Sequence, residues 1–543
     1  MTVIRGGLLA DGTGAPARPA DVRFEGATIA EIGPPGTLRG DEEVDAGGLV
    51  VAPGFVDIHT HYDAQVLWDP DLTPSSWHGV TTVVMGNCGF GIAPTRPDGR
   101  EIIARTLENV EGMSLEALTA GIDWSFESFP EYLDAVERAR PRLNVAAMLG
   151  HTPLRLAVLG PDAMERAASD EEIATMAALV DEALAAGAVG FASSRQPAHA
   201  GAYGRPVPSR LASLGELRTL ASALTRAGRG VLALTRGPDL DIEEIAELSE
   251  AIGRPTTWTA LMASHGGADP LEMVERGAAR GSVVPQVACR PVVMQATLAE
   301  PFPFARIPAF AEVLGRPAGE RAAVYRDPAW RSRAHADTEQ HWPALWGRMF
   351  VQETVAHPEL ADGPSLAELA AARGVRPVDV LCDVALDDDL RTRFRQVQAN
   401  DDEDGVAALL RDERTVLGLS DAGAHANQLC DAVFATHLLG YWVREKQVLT
   451  LEQAVWRLTG QPAELFGLRG RGRLVPGAAA DVVLFDPATV GVGPMQRVRD
   501  LPAGADRLVA PSTGIEGVWV NGERIRDADG PTQARPGRVL RDR

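Results

Sequence analysis

The chain is 543 residues long, and its 74 acidic and 52 basic side chains give a formal net charge of −22. This acidity disfavours nucleic acid as a partner, because phosphate binding needs clustered positive charge. No run of about 18 apolar residues predicts a membrane-spanning helix, and the N-terminus lacks the long apolar stretch of a signal peptide, so we expect a cytoplasmic protein with no membrane partner.

Short strands broken by glycine fill the first fifty residues and return near the C-terminus. The segment DVRFEGATIAEIG shows this pattern of strands and glycines at one end, and GRLVPGAAADVVLFD and EGVWVNGERI show it at the other. Neither end has enough strands to bury a core alone. We therefore predict one small β-sandwich domain built from both chain termini, residues 1–52 and 473–543.

Between these ends, short β-branched runs alternate with helical stretches such as DEEIATMAALVDEALAAG. This alternation is typical of a parallel sheet with crossover helices. Eight candidate strands are found, near residues 49–59, 80–86, 143–151, 188–194, 230–235, 256–263, 282–290 and 415–421. The sequence therefore predicts an α/β fold, a (β/α)₈ TIM barrel over residues 53–472.

The segment between the seventh and eighth predicted strands is much longer than one crossover helix requires. It contains Pro- and Trp-rich sequence, including PFPFARIPAF and DPAWRSRAHADTEQHWPALW. A long excursion after a barrel strand lies on the catalytic face. We therefore predict a lid insertion at about residues 291–360, with a peripheral decoration as the alternative.

Two histidines follow the first predicted barrel strand in PGFVDIHTHYD, residues 53–63. His59 and His61 are separated by one residue, so on an extended backbone both side chains point the same way. Imidazoles placed like this can bind one divalent metal ion.

Several motifs resemble the D-aminoacylase (N-acyl-D-amino-acid deacylase) branch of the amidohydrolase superfamily, in the same order. They are PGFVDIHTHYD, HGVTTVVMGNCGFGIAP at 78–94, GHTPLR at 150–155, EALAAGAVGFASS at 182–194, GLSDAGAH at 418–425, LVPGAAADVVLFDPATV at 474–490 and GVWVNGERI at 517–525. The resemblance spans nearly the whole chain. It implies an enzyme, a metal-dependent amidohydrolase that hydrolyses an amide-type C–N bond.

The resemblance also implies roles for matched residues. His59 and His61 would bind the metal, and Cys88 matches the zinc-ligating cysteine of D-aminoacylases. Asp421 matches the catalytic aspartate, which can contact the metal, take a proton from the attacking water and return it to the leaving amine. The alternatives are a buried structural thiol for Cys88 and a helix N-cap for Asp421.

This sequence departs from the family at further metal ligands. Thr235 and Arg236 stand where the fifth strand would end in a zinc-binding histidine, and His265 falls several residues after the sixth strand. The only lysine, Lys446, lies beyond strand eight, which excludes the carbamylated-lysine bridge of other superfamily members. Whether His199 or His265 replaces the missing histidines stays open.

These departures make a two-metal arrangement improbable. We predict one divalent ion per chain, Zn²⁺, held by His59, His61 and Asp421 with Cys88 nearby. The arginine with which the family binds the substrate carboxylate is also missing. The segment that begins at Asp421 reads DAGAHANQL and contains no arginine. Substrate identity therefore stays open.

Four further residues are predicted to bind substrate: His151, Arg155, Arg290 and His425. The first two follow strand three, Arg290 ends strand seven, and His425 lies one helical turn past Asp421. A surface ion pair is the alternative for Arg155, and His199 is either a pocket or a loop residue. The other histidines are expected to be structural, including His78, His335, His341, His357 and His437.

Three functions remain possible. The first is hydrolysis of an N-acyl-D-amino acid or related small-molecule amide by a metal-activated water, with Asp421 as general base and acid. The second is hydrolysis of a cyclic amide of the hydantoin or lactam type on the same barrel. The third is a catalytically degenerate homologue that only binds its ligand. A homo-oligomer is possible in each case.

Overall fold

The computed structural model describes residues 1–279, 282–299, 301, 304, 307–314, 316–361 and 363–541. The chain divides into two compact units. The first comprises Met1–Arg290, Asp402–Ala426 and Cys430–Arg543, and the second comprises Pro291–Asp401 and Asn427–Leu429. Within the described ranges, no helix has the length and apolar character needed to cross a membrane.

The β-strands are numbered in chain order. They are β1 (Thr2–Leu9), β2 (Arg18–Glu25), β3 (Thr28–Gly33), β4 (Glu42–Asp45), β5 (Val50–Pro53), β6 (Phe55–Asp57), β7 (Val80–Met85), β8 (Asn144–Gly150), β9 (Gly190–Ser194), β10 (Val231–Thr235), β11 (Thr256–Leu261), β12 (Val283–Val287), β13 (Val292–Ala296), β14 (Met349–Glu353), β15 (Arg393–Ala399), β16 (Val416–Leu417), β17 (Val482–Phe485), β18 (Gly491–Val492), β19 (Gln496–Val498), β20 (Arg507–Val509), β21 (Ser512–Thr513), β22 (Ile515–Val520), β23 (Glu523–Asp527) and β24 (Gly530–Pro531).

The α-helices are numbered in the same way. They are α1 (Arg100–Glu111), α2 (Leu115–Gly121), α3 (Phe129–Ala139), α4 (His151–Leu159), α5 (Asp170–Ala186), α6 (Leu214–Ala227), α7 (Ile242–Ile252), α8 (Pro270–Ala278), α9 (Pro308–Leu314), α10 (Ala318–Arg326), α11 (Pro328–His341), α12 (Leu366–Arg373), α13 (Pro377–Asp387), α14 (Glu403–Arg411), α15 (Phe434–His437), α16 (Leu451–Leu458) and α17 (Gly460–Leu465).

A parallel sheet in the first unit forms the barrel, with the strand order β6-β7-β8-β9-β10-β11-β12-β16. A parallel bridge between Thr60 and Ala422 joins the two ends of this sheet, and the His61 amide donates to the Ala422 carbonyl at 2.7 Å. Alternate strand residues fill the interior with apolar side chains, among them Ile58, Met148 and Ala233. The predicted (β/α)₈ barrel is confirmed, and its interior is a packed core rather than a pore.

The first predicted strand is split in two. Residues 49–59 were expected to form one barrel strand, but β5 belongs to the terminal sheet and only β6 joins the barrel. Gly54 separates them: its amide donates to the Asp481 carbonyl at 2.9 Å, and a Cβ at this position would lie 2.1 Å from Thr81 Oγ1. Only glycine therefore lets the chain pass from one sheet to the other here.

Strands from both chain ends share one sheet, with the order β24-β23-β22-β17-β5-β1-β2-β3 and β4 paired to β1. The rings of Phe24 on β2 and Trp519 on β22 are 6.2 Å apart, although three strands lie between β2 and β22 in the sheet. The sheet therefore folds over its own apolar core, which also contains Ile4, Val22 and Leu484. This is the small β-domain that the fold prediction expected from both termini.

The second unit has a core of its own. Strands β13, β15 and β14 form an antiparallel sheet, and helices α9 to α13 belong to the same unit. Phe310 and Tyr325 both contact the ring of the buried Trp330, with ring centroids 5.1 and 5.2 Å away. The unit extends to Asp401, past the end expected near residue 360. Its role as a lid stays a prediction.

Candidate metal centre

Three potential metal ligands converge at the carboxyl-terminal end of the first barrel strands. His59 and His61 follow β6, and Cys88 follows β7. One ligand atom from each of these residues lies within 4.8 Å of the others, and Cys88 Sγ is 3.6 Å from His59 Nε2. Active sites of (β/α)₈ barrels lie at this end of the strands.

Asp421 reaches the same cluster from the far edge of the strand order. Its Oδ1 atom lies 3.1 Å from His59 Nε2 and 3.7 Å from His61 Nε2. The Thr60–Ala422 bridge that closes the barrel sets this distance, because it places the residue before Ala422 beside the two histidines. The Asp421 backbone adopts a left-handed conformation, with φ of 46°, which aspartate tolerates better than most residues.

Glu111 is a member of the cluster that sequence reasoning missed. Its Oε2 atom lies 3.5 Å from His61 Nε2, and the residue is only 3% exposed. It is the last residue of α1, before the left-handed Gly112. A carboxylate at a helix C-terminus is unfavourable because it opposes the helix dipole. In the sequence ENVEGMS, this position was the only sign that Glu111 could have a functional role.

Buried hydrogen bonds hold the two strand-end histidines in place. His59 Nδ1 lies 2.7 Å from Gln286 Oε1 on β12, and because an amide oxygen only accepts, Nδ1–H must donate and Nε2 faces the cluster. Asp57 accepts from the His59 amide at 3.2 Å and lies 2.7 Å from Ser420 Oγ. Ser420 precedes Asp421, so these bonds tie the loop that carries the aspartate to β6.

Opposite charges compensate one another within the cluster. Burial alone would lower the pKa of His59, but the neighbouring Cys88 and Asp421 raise it to about 10. Burial would raise the pKa values of Cys88 and Asp421, but His59 and His61 hold both well below their usual ranges. Burial raises the pKa of Glu111 to about 8. The anionic groups thus favour positive charge at the imidazole Nε2 atoms.

The residues present fit a divalent metal ion. His61 Nε2 is buried and has no hydrogen-bond partner among the described residues, and a buried polar atom without a partner is costly. Imidazole nitrogen, thiolate sulfur and carboxylate oxygen are the ligand atoms that zinc prefers. A cation among these atoms would satisfy His61 and supply the positive charge that the carboxylates and the thiol favour.

His151 and Arg155, predicted to bind substrate, lie instead in a buried network with Glu216. Both are 0% exposed. His151 bonds Ser193 Oγ at 2.8 Å and Glu216 Oε1 at 2.9 Å, while Arg155 Nη1 contacts both Glu216 carboxylate oxygens at 2.5 Å. With these groups engaged inside the protein, the placement supports a structural role and not the predicted contact with substrate.

Replacing Glu216 with glutamine is expected to destabilise the fold by about 3–5 kcal/mol, because Arg155 would be left as a buried charge without a counterion. Denaturant unfolding measures this loss. The matched control is Asp181→Asn, which removes the carboxylate partner of the half-exposed Arg226 and should cost no more than about 1 kcal/mol. Equal losses in the two variants would contradict the structural role.

The other predicted residues lie at different positions. Arg290 is paired with the buried Asp431, with Nε 2.8 Å from Oδ1. His425 is half-buried, and its amide donates to the Glu111 carbonyl at 2.5 Å. Burial lowers the pKa of His425, against the charge of Asp421, so its imidazole is neutral near pH 7.

Neither alternative histidine joins the three-residue ligand group. His199 Nδ1 lies 2.7 Å from Ser194 Oγ, and its ring contacts Phe90, whereas His265 is exposed. Burial lowers the pKa of His199, and the charge of the neighbouring Cys88 partly offsets this shift. His199 is therefore close enough to the cluster for the two to interact electrostatically.

Threonine hydroxyl groups lie at the end of the fifth strand and two residues before the end of the sixth. Thr235 on β10 pairs in register with Thr259 on β11, and their Oγ1 atoms are 3.1 Å apart. Neither offers a nitrogen ligand. Lys446, the only lysine, pairs instead with Glu403 in an exposed position, with Nζ 2.6 Å from Oε2.

A cavity of about 420 Å³ opens beside these threonines. Gln196, Arg236 and Thr259 line it, and the Arg236 guanidinium stacks 5.0 Å from the Trp258 ring and pairs with Asp241. Gln196 follows β9, Arg236 follows β10 and Thr259 lies in the second half of β11, so the cavity lies at the same end of the barrel as His59 and His61. Its volume is within the range of small-molecule sites.

Comparison with known proteins matches most of the chain to a known family. The model of the amidohydrolase family matches residues 42–526. D-aminoacylase of Alcaligenes xylosoxydans xylosoxydans is 32% identical over 551 residues, which cover 99% of this chain and 97% of that protein.

Two solved structures are each similar to this chain with 29% identity and a TM-score of 0.68, and each match covers 99% of this chain and 99% of the other. One is a D-aminoacylase with a binuclear metal center, described with one-metal activation and second-metal attenuation. The other is N-acyl-D-glutamate deacylase from Bordetella bronchiseptica, complexed with zinc and a phosphonate mimic of the tetrahedral intermediate. The chain therefore belongs to the amidohydrolase family, is similar to its D-aminoacylases, and is a hydrolase of carbon–nitrogen bonds other than peptide bonds.

Proposed function

We propose that this protein hydrolyses N-acyl-D-amino acids or closely related small amides, using one zinc ion held by His59, His61, Cys88 and Asp421. The observation that carries the proposal is the meeting of two imidazoles, a thiol and a carboxylate at one barrel end. The activities named for the relatives support the substrate class.

A single ion suits this chain better than two. The strand-five and strand-six positions hold threonine hydroxyls in place of imidazoles, and the lysine that would bridge two metals is absent from strand four. A bound divalent ion would polarise the substrate carbonyl and lower the pKa of a bound water to roughly 7. D-aminoacylase itself is described as activated by one metal and attenuated by a second.

Asp421 is the proposed proton carrier. Its side chain is 34% exposed, whereas the His59 side chain beside it is 1% exposed, so Asp421 is open to water and substrate while the histidine is enclosed. In the proposed mechanism, the Asp421 carboxylate accepts a proton from the attacking water and donates it to the leaving amine nitrogen. The neutral imidazoles of His199 and His425 are then available as hydrogen-bond donors to the substrate.

One observation favours a second candidate, hydrolysis of a cyclic amide of the hydantoin or lactam type. The segment after Asp421 lacks the arginine that would bind a substrate carboxylate in D-aminoacylases, and Arg155 is engaged with Glu216. A cyclic amide without a carboxylate would not need such a group.

Metal analysis followed by a substrate screen tests these proposals. Purified protein should carry about one zinc ion per chain, lose activity on chelation and recover it when zinc is returned. The screen compares N-acyl-D-amino acids, their L-enantiomers, hydantoins and lactams. Turnover of cyclic amides alone would favour the second candidate, and a metal-free protein without turnover would indicate a binding homologue.

A further inference from the structure

Glu111 is the buried carboxylate of the cluster that none of the motifs above includes. The residue lies outside the seven motifs quoted in the sequence analysis, yet its Oε2 atom approaches His61 Nε2 to 3.5 Å. Unlike the cluster's histidines and cysteine, which follow barrel strands, it comes from the end of a helix.

The backbone holds Glu111 firmly at this position. The His425 amide donates to the Glu111 carbonyl at 2.5 Å, which joins the end of α1 to the loop that carries Asp421. Gly112 ends the helix in a left-handed conformation, with its amide bonded to the Leu107 carbonyl. The carboxylate is therefore presented to the cluster by a capped helix end and not by a loose loop.

An ionised Glu111 would need a partner that the described protein atoms do not fully supply. A buried carboxylate is costly unless it is paired and hydrogen-bonded. Its ion pair is with His61 alone among the described residues, at a distance too long for a good hydrogen bond. Among the residues that the structure describes, His61 Nε2 has no hydrogen-bond partner either. A cation between the two groups would bind both the imidazole nitrogen and the carboxylate.

We propose that Glu111 is a ligand of the same metal ion, compensating for the imidazoles that strands five and six lack. This inference rests on the proposed metal site. A carboxylate oxygen is a normal zinc ligand, and Thr235 and Thr259 offer none of the nitrogen donors that the family's histidines would provide on strands five and six. The ion would thus be held by residues from the end of β6, the loop after β7, the loop after β16 and the end of α1.

Zinc affinity, measured by competition with a chromophoric chelator, tests the proposal with Glu111→Gln. Loss of a residue that only orients a ligand typically weakens metal affinity about 10–100-fold, so loss of a direct ligand should weaken it by more than about 100-fold. Glu101→Gln is the matched control, since it makes the same change on the exposed first turn of α1 and should leave affinity unchanged. A smaller loss in Glu111→Gln would overturn the ligand assignment.

Two further measurements keep the inference separate from folding and from the proposed function. Circular dichroism of the metal-free variant establishes that it folds. In zinc-loaded crystals of the unaltered protein, a Glu111 carboxylate oxygen should lie roughly 2.0–2.2 Å from the ion, and an ion bound by the histidines but beyond contact with Glu111 would refute this inference alone. If the unaltered protein binds no zinc, the proposed function fails with it.

Discussion

His61→Ala is expected to abolish zinc binding and hydrolysis while leaving the barrel folded. His61 Nε2 lies 3.7 Å from the Asp421 carboxylate and 3.5 Å from that of Glu111, and it is buried without a hydrogen bond to any part of the chain that the structure describes. Alanine removes this ligand atom. Because a metal ion contributes several kcal/mol to stabilising the transition state, kcat/KM should fall at least about 10³-fold.

Zinc per chain after gel filtration, kcat/KM and circular dichroism measure the three parts of this prediction. His265→Ala is the matched control, because this exposed histidine follows β11 and stands outside the three-residue ligand group. The control should keep its zinc and its activity. Full activity in His61→Ala would refute the assigned metal site.

Asp421→Asn is expected to lower kcat by about 10²–10⁴-fold, the usual contribution of a positioned general acid or base. The amide keeps the size of the side chain but cannot accept the proton of the attacking water. Asparagine also tolerates the left-handed backbone at this position, where φ is 46°, so the loop should keep its conformation. Asp421 is itself a proposed zinc ligand, so zinc affinity should fall, but His59, His61 and Cys88 remain and excess zinc should keep the ion bound.

Steady-state kinetics and zinc analysis of the same preparation separate proton transfer from metal loss. Asp98→Asn changes an exposed carboxylate outside the cluster and should leave kcat unchanged. A kcat within tenfold of the unaltered protein would mean that another group carries the proton.

The barrel could be predicted from the sequence because its strands have a local signature. The β-branched run at VTTVVMG and the polar ends of successive strands mark where parallel strands meet the active face. The split at Gly54 could not be predicted in this way. It depends on the close approach of Thr81 and on the Asp481 carbonyl, which are contacts between distant parts of the chain.

The residues of the candidate site likewise differ in whether the sequence could predict them. His59, His61, Cys88 and Asp421 stand in motifs at strand ends, and the structure brings them together. Glu111 and Gln286 have no such motif, since one ends a helix and the other lies inside an apolar strand.

The contact between Arg155 and Glu216 could not be predicted from the sequence for a similar reason. GHTPLR resembles the family at the mouth of the barrel, but the partner that engages Arg155 is Glu216, 61 residues further along the chain. A charged residue near a strand end is equally compatible with an open pocket and with a buried ion pair. Only the packing of α4 against its neighbours decides between them.

We expect one zinc ion to be bound by the two strand-end histidines together with Cys88. X-ray absorption at the zinc edge tests it most directly, because sulfur scatters at roughly 2.3 Å and nitrogen or oxygen at roughly 2.0–2.2 Å. We predict one sulfur scatterer in the zinc-loaded protein and none in Cys88→Ser, which keeps the buried thiols Cys289, Cys382 and Cys430. A sulfur signal that persists in Cys88→Ser, or is absent from the unaltered protein, would contradict the account.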